Sequence, residues 1–479
     1  MSAELTPLAK TGGLADVSAS LATYLHEAGH DVRVLIPRYA RIDKAGVDIE
    51  PVAALSDLSL RFGSHQQKFA IDKTVIPGTE VPVHLLRCPE LYGRDGIYTQ
   101  DADEHLRFLL LSRAAMEMCQ RTGFAPQIFS CHDWQTALVP LFLRTSYAWD
   151  ALFHNTKSVL TIHNIGYQGM FPAYILDQLE LRGAEHHLHQ DDLKDGVINF
   201  LKAGVLYADL ITTVSPTYAR EILSDDYGMG LNHLLRQRVD TVIGILNGVD
   251  YREWDPATDK YLPANYSPED MAGKAVCKSG LARAMGLEDM PGRPLIGIVS
   301  RLVGQKGIDL IADVVPRMLT QRDFALAVLG SGEPRFERLF ENMQQRFPGR
   351  VSFYRGYHNE LAHLIEAGSD MFLMPSLYEP CGLNQMYSLK YGTVPIVRET
   401  GGLADSVSQF DVDDGTGTGI MFRDYNPAGL EWAINRALDL FDNPPLWRKI
   451  VANGMARDYS WQRQVARYVE LFRELSKPS

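Results

Sequence analysis

The stretch Leu295-Ile296-Gly297-Ile298-Val299-Ser300-Arg301-Leu302-Val303-Gly304-Gln305-Lys306-Gly307-Ile308 decides the fold. Its first five residues are apolar or glycine without alternation, which marks a strand buried on both faces, and Ile308 opens an amphipathic pattern that predicts a helix over 308–318. The same strand-to-helix grammar recurs on either side. Apolar, β-branched runs at 32–36, 158–162, 210–214 and 242–246 precede it, and runs at 324–329, 371–374 and 394–397 follow, separated by helical periodicity. Such alternation predicts an α/β fold of doubly wound parallel sheets, in which ligands gather beyond the carboxyl ends of the strands.

The alternation pauses between about 250 and 292, where Pro256, Pro263, Pro268 and Pro291 interrupt it. A chain of 479 residues also exceeds what one hydrophobic core supports. The expected organisation is an N-terminal α/β domain over 1–247, a second over 248–457, and a final segment, 458–479. In that segment Ser460-Trp461 opens an amphipathic helix expected to return to the N-terminal domain. Hydrophobic residues make up 46% and charged residues 22%, the balance of a folded enzyme. A net charge of −12 without a basic stripe argues against nucleic acid as a partner. Five cysteines without close pairing fit a reducing compartment, and no apolar run reaches the ~18 residues of a membrane span, so a cytoplasmic location off the membrane is expected.

Several loops carry chemistry. The hexapeptide Thr11-Gly12-Gly13-Leu14-Ala15-Asp16 recurs as Thr400-Gly401-Gly402-Leu403-Ala404-Asp405, and each copy opens a helical pattern whose free amides favour an anion. Arg301 and Lys306, five residues apart on one strand-to-helix loop, can neutralise a leaving diphosphate. Glu379, within Tyr378-Glu379-Pro380-Cys381-Gly382-Leu383, follows the strand predicted at 371–374 and can hold sugar hydroxyls. His132-Asp133-Trp134 and His163-Asn164 end successive predicted strands, with Trp134 expected to stack on a sugar face. The acidic run Asp411-Val412-Asp413-Asp414-Gly415 reads as a solvated loop, so no metal is expected. Motifs of serine hydrolases, zinc proteases, P-loop enzymes and dinucleotide dehydrogenases are absent. Only ten residues, including Pro7 and no β-branched run, precede Thr11, so the strand that normally leads into such a loop is lacking.

Taken together, Lys10 with the first glycine loop, His132-Asp133-Trp134, His163-Asn164, Leu246-Asn247-Gly248-Val249-Asp250, Ser300-Arg301-Leu302, Gln305-Lys306-Gly307, Glu379-Pro380-Cys381-Gly382-Leu383 and the Thr400 loop resemble the bacterial glycogen synthases and plant starch synthases. The resemblance implies a GT-B fold, two Rossmann-like domains facing across a cleft, with the first N-terminal strand missing here. It implies transfer of glucose from ADP-glucose, or UDP-glucose, to the non-reducing end of an α-1,4-glucan with retention of configuration, and no cofactor. Arg301 and Lys306 would take the charge of the departing diphosphate, which Lys10 and the Gly12 and Gly13 amides would meet from the other domain. Thr400 and Gly401 would bind phosphate or sugar on their own side. Glu379 would contact the donor glucose, and the Gly382 and Leu383 amides the nucleotide or sugar. His163 would lie near the transferred glucose, Asp133 near the sugar or acceptor, Asn247 on the hinge side of the donor, and Tyr357 against the base. Related retaining families carry a second glutamate where this chain has Tyr387. The alternative is an N-terminally truncated, catalytically weak, glucan-binding homologue.

Overall fold

Seventeen strands form among the described residues of the computed structural model, which are 1–181, 183–288 and 292–477. The first eleven are β1 (Val34–Pro37), β2 (Glu50–Pro51), β3 (Leu58–Phe62), β4 (His65–Val75), β5 (Pro82–Arg87), β6 (Ile128–His132), β7 (Lys157–Ile162), β8 (Met170–Pro172), β9 (Val197–Asn199), β10 (Leu210–Thr213) and β11 (Val242–Gly244). The last six are β12 (Leu295–Leu302), β13 (Ala325–Gly332), β14 (Val351–Arg355), β15 (Met371–Met374), β16 (Val394–Arg398) and β17 (Ile420–Phe422). They fall into two units. Met1–Val214, Ala219–Ile245 and the chain from Trp461 onward form the first, and Ser215–Tyr218 with Leu246–Ser460 form the second.

In the second unit six parallel strands lie in the order β14-β13-β12-β15-β16-β17. Counted from β12 this is 3-2-1-4-5-6, the Rossmann order, and the winding reverses between β12 and β15. A sheet covered on both faces needs continuous apolar strands, and Ile296, Leu326, Val328 and Ile396 are each at most 1% exposed. Helix Ile308–Gln321 lays Ile308, Ile311, Val314, Val315 and Met318 onto this core. Each such side chain removed from water contributes about 1.5–3 kcal/mol. β12 runs further than its apolar residues alone predict, because its ladder with β13 continues through Arg301↔Ser331 and Leu302↔Gly332. Arg301 therefore stands on the end of the strand itself.

The first unit divides its strands between two larger sheets and the two-stranded antiparallel sheet β8–β9. One sheet has the order β1-β5-β4-β2 with β3 on β4, and the other, all parallel, the order β11-β10-β7-β6. Between β1 and β6 no strand lies among the described residues. The Met1 ammonium donates to Ser130 O on β6 at 2.8 Å, and Ser2 N–H donates to Leu35 O on β1 at 3.2 Å. Met1 and Ser2 thus link β6 and β1 through hydrogen bonds. Helix Trp461–Leu475 packs on helix Gly13–Glu27, with the Tyr24 and Trp461 rings stacked at 6.5 Å and Tyr468 buried beside them.

Candidate active site

Reversal of winding at β12 and β15 opens the carboxyl ends of two adjacent strands, where α/β sheets take ligands. The loops beyond them are sewn together. Leu377 N–H donates to Gln305 O at 2.9 Å, and Gln305 Nε2 donates to Tyr378 O at 3.2 Å. This pairing brings Lys306 Nζ to 2.6 Å from Glu379 Oε2, which also accepts from Ser376 Oγ at 3.0 Å. Glu379 is only 5% exposed, so its charge is held by partners rather than by water. Asn384 Nδ2 donates to Val299 O at 2.8 Å, seating Gly382 and Leu383 beside β12 just ahead of helix Asn384–Lys390. Arg301, exposed at the end of β12, completes a set of two cations, one carboxylate and a turn of backbone amides at one end of the sheet.

The second glycine loop follows β16 and serves this set from behind. Gly401 has φ +44°, a conformation that favours glycine, and a Cβ there would lie 1.9 Å from Glu379 O. Gly402 N–H donates to that same carbonyl at 3.1 Å, and Asp405 accepts from Thr217 N–H and Oγ1, each at 2.7 Å. The helix it opens, Gly401–Ser406, is six residues long, so the expected anion-binding helix start is a single short turn with its Gly402 amide engaged. Asn247 is 4% exposed and its Oδ1 has no partner among the described residues, while its hydrogen bonds to Cys381 oppose the burial that pushes that thiol up to about 12. Tyr357 stands exposed past the end of β14, two strands from β12, its hydroxyl donating to Asn359 Oδ1 at 2.8 Å. Tyr387 points into the unit: Trp254 is sandwiched between Tyr387 at 3.9 Å and His363 at 3.8 Å, all three rings nearly parallel.

In the first unit the Thr11 loop is built differently. Gly12 has φ −160°, and a Cβ added to it would meet nothing within 4 Å. No internal contact demands glycine there, so its open face suits a ligand approaching the backbone. Its amide, expected to be free, is engaged by a residue the sequence did not single out. Glu4, 3% exposed, accepts from Thr11 N–H at 2.5 Å, Gly12 N–H at 3.1 Å, and the Thr11 and Tyr98 hydroxyls at 2.7 Å each. Lys10 Nζ pairs with Asp16 Oδ1 at 2.7 Å, an exposed ion pair of modest strength.

Neighbouring strands β6 and β7 carry Asp133 and His163 at their carboxyl ends. Asp133 has φ +55°, a strained conformation for a non-glycine residue, and its Oδ1 accepts from His163 N–H at 2.7 Å and Asn164 N–H at 3.4 Å. Burial pushes the Asp133 carboxyl up to about 7 against the pull of those amides, and the charge of Glu4 adds to the rise. Burial also drives His163 down to about 3 and His132 well below its ordinary value, so both imidazoles are neutral near pH 7. Trp134 corrects an expectation. It is 8% exposed, packed edge-on to Phe108 at 4.8 Å and against Phe171 and Phe200, and a Cβ on Gly169 would lie 2.3 Å from its ring. It belongs to the core rather than to a sugar platform.

A family model described as the starch synthase catalytic domain matches residues 1–237, and one described as glycosyl transferases group 1 matches 288–454. The glycogen synthase of Anaeromyxobacter dehalogenans (strain 2CP-C) is 44% identical over 481 residues, covering 99% of both chains. Glycogen synthase 1 of Geobacter sulfurreducens is 43% identical, covering 98% of this chain and 94% of its own. The chain thus spans 94–99% of the length of those two relatives. Among solved structures, the catalytic domain of starch synthase IV from Arabidopsis thaliana, bound to ADP and acarbose, is 34% identical with a TM-score of 0.91, covering 99% of this chain and 98% of that one. A sucrose-phosphate synthase from Thermosynechococcus elongatus, 18% identical with a TM-score of 0.59, shares the fold. No helix among the described residues is long and apolar enough to cross a membrane. The chain belongs to the glycogen and starch synthase family of GT-B glycosyltransferases, which act on a nucleotide-sugar donor and a glucan acceptor.

Proposed function

We propose that this chain transfers glucose from ADP-glucose to the 4-hydroxyl at the non-reducing end of an α-1,4-glucan, in the cytoplasm and with retention of the α configuration. The observation that carries the reading is the Lys306–Glu379 pair, 2.6 Å apart beside Arg301 where the winding of a Rossmann sheet reverses. In the transfer the bond from glucose C1 to the diphosphate oxygen breaks and a bond from C1 to the acceptor O4 forms on the same face. The acceptor proton passes to the leaving phosphate. Arg301 and Lys306 stabilise the charge that grows on that phosphate, where preorganised cations lower a barrier most. Glu379, held by Lys306 and Ser376, accepts from donor sugar hydroxyls, and the Gly382 and Leu383 amides donate to the nucleotide sugar. Lys10 and the open face of Gly12 serve the diphosphate, Thr400 and Gly401 the sugar or phosphate, Asn247 the donor through its unpartnered Oδ1, and Tyr357 the base. His163 and Asp133 hydrogen-bond the transferred sugar and the acceptor. Five buried, unpaired cysteines accord with the proposed compartment.

The test is incorporation of labelled glucose into glycogen from ADP-glucose and, separately, from UDP-glucose. Faster incorporation from ADP-glucose is expected. A preference for UDP-glucose overturns the donor assignment, and background incorporation from both overturns the reaction.

A further inference from the structure

We propose that His132 is a positioning residue that locks His163 in its Nδ1–H form, so that the sugar beside His163 meets a hydrogen-bond donor of fixed direction. The proposal rests on the reading above that His163 lies beside the transferred sugar.

Three side chains form a line. Ser130 Oγ is 3.2 Å from His132 Nε2, and His132 Nδ1 is 2.8 Å from His163 Nε2. The two rings are tilted by 35° with centroids 5.1 Å apart, a geometry set by the hydrogen bond and not by stacking. Both imidazoles are neutral, so each has one N–H and one bare nitrogen, and one proton must lie between them. Its side follows from the far end of the line. Among the described residues the Ser130 hydroxyl has His132 Nε2 as its one side-chain partner. Donating there satisfies the hydroxyl proton, leaves Nε2 bare, and puts the His132 proton on Nδ1, aimed at His163 Nε2. The reverse sense would leave the hydroxyl proton without a protein partner.

His163 Nε2 is then an acceptor, and the His163 proton sits on Nδ1. Among the described residues that nitrogen has no hydrogen-bond partner, and it is not one of the buried unpartnered atoms, so it keeps some exposure in a partly buried residue. A neutral imidazole takes whichever tautomer its second nitrogen's partner dictates. The His163 backbone is fixed independently, by the 2.7 Å bond from its N–H to Asp133 Oδ1. Asp133 therefore holds the main chain and His132 the ring.

The tautomer is read directly from long-range imidazole couplings in full-length chain labelled with 15N-histidine, with the His163 signal identified by its loss in His163→Gln. The wild type is expected to carry the His163 proton on Nδ1, and His132→Leu to shift it toward Nε2. His132→Leu is expected to lower kcat about 10- to 100-fold with donor KM changed less than about threefold, the signature of lost orientation. His132→Asn, which keeps an N–H near the place of Nδ1–H, is expected to restore most of kcat. Should His132→Leu fold poorly, the milder Ser130→Ala decides, with a partial shift of the His163 signal and a smaller fall in kcat. A wild-type His163 protonated on Nε2, or equal kcat in His132→Asn and His132→Leu, overturns the proposal. His163→Ala separates the two readings. Undiminished turnover there overturns the underlying placement of His163, whereas loss there with normal turnover in His132→Leu overturns this inference alone.

Discussion

At the scale of single residues, Lys306 and Glu379 illustrate how a buried ion pair serves chemistry more than stability. Bringing both charges out of water offsets most of their attraction, so the pair is worth keeping chiefly where a third charge arrives. Replacing Lys306 or Arg301 by alanine is expected to lower turnover at least about 100-fold, with an unchanged circular dichroism spectrum. Asp133 makes a prediction about pH. Its folded value of about 7 lies above the ordinary 3.8, so the folded state keeps a proton that the unfolded state has lost between those values. Stability from this group is fully present below pH 3.8 and disappears as pH rises through 7. Asp133→Asn keeps the accepting oxygen without the charge. Its denaturation midpoint, compared with wild type, is expected to improve between pH 5 and pH 8 by the equivalent of a few kcal/mol. His163 works in the opposite sense, since below about 6.5 the unfolded state takes up a proton that the folded state, at about 3, refuses. Residue identities at the site were open to reading because they sit next to recognisable strands. The roles of Glu4, His132 and Trp134 were not, because what each touches depends on segments far away in the chain: Glu4 on Tyr98, His132 on His163, and Trp134 on Phe108, Phe171 and Phe200.

At the scale of elements, two copies of one hexapeptide have different physical reasons for their glycines. Gly401→Ala would push a Cβ into the Glu379 carbonyl at φ +44° and is expected to cost at least about 2 kcal/mol, read as a lowered melting temperature. Gly12→Ala meets no atom and needs no unusual backbone, so stability is expected to change by less than about 0.5 kcal/mol. If the diphosphate approaches that open face, donor KM in Gly12→Ala rises about tenfold, the effect of ~1.4 kcal/mol of crowding. The parallel strands were readable because burial on both faces makes their sequences uniformly apolar, as in β12, β15 and β16. The antiparallel β3 and β4 were not, since β3 alternates buried with exposed residues and β4 opens on exposed His65, Gln66 and Lys68, leaving no long unbroken apolar run. At three residues, β17 is too short to show a period.

At the scale of the whole molecule, the chain leaves its first unit, builds the second, and returns as helix Trp461–Leu475 against helix Gly13–Glu27. The amphipathic period of that last helix shows that it packs, but only the contact of Trp461 with Tyr24 says on what. Trp461→Ala empties a fully buried site and is expected to destabilise the first unit by about 3–5 kcal/mol. Hydrogen exchange should then quicken across Gly13–Glu27 while β12 to β17 keep their protection. Uniform quickening of both units would contradict that assignment. The central claim is that the sheet reversal in the second unit hosts glucosyl transfer with retention. Its most direct test is the linkage of glucose transferred from labelled ADP-glucose to glycogen, read by digestion with enzymes specific for α-1,4 bonds. Label released as α-1,4-linked sugar by the wild type, and reduced at least about 100-fold in folded Lys306→Ala, is the predicted result. Label in another linkage, or equal incorporation by Lys306→Ala, would contradict the account.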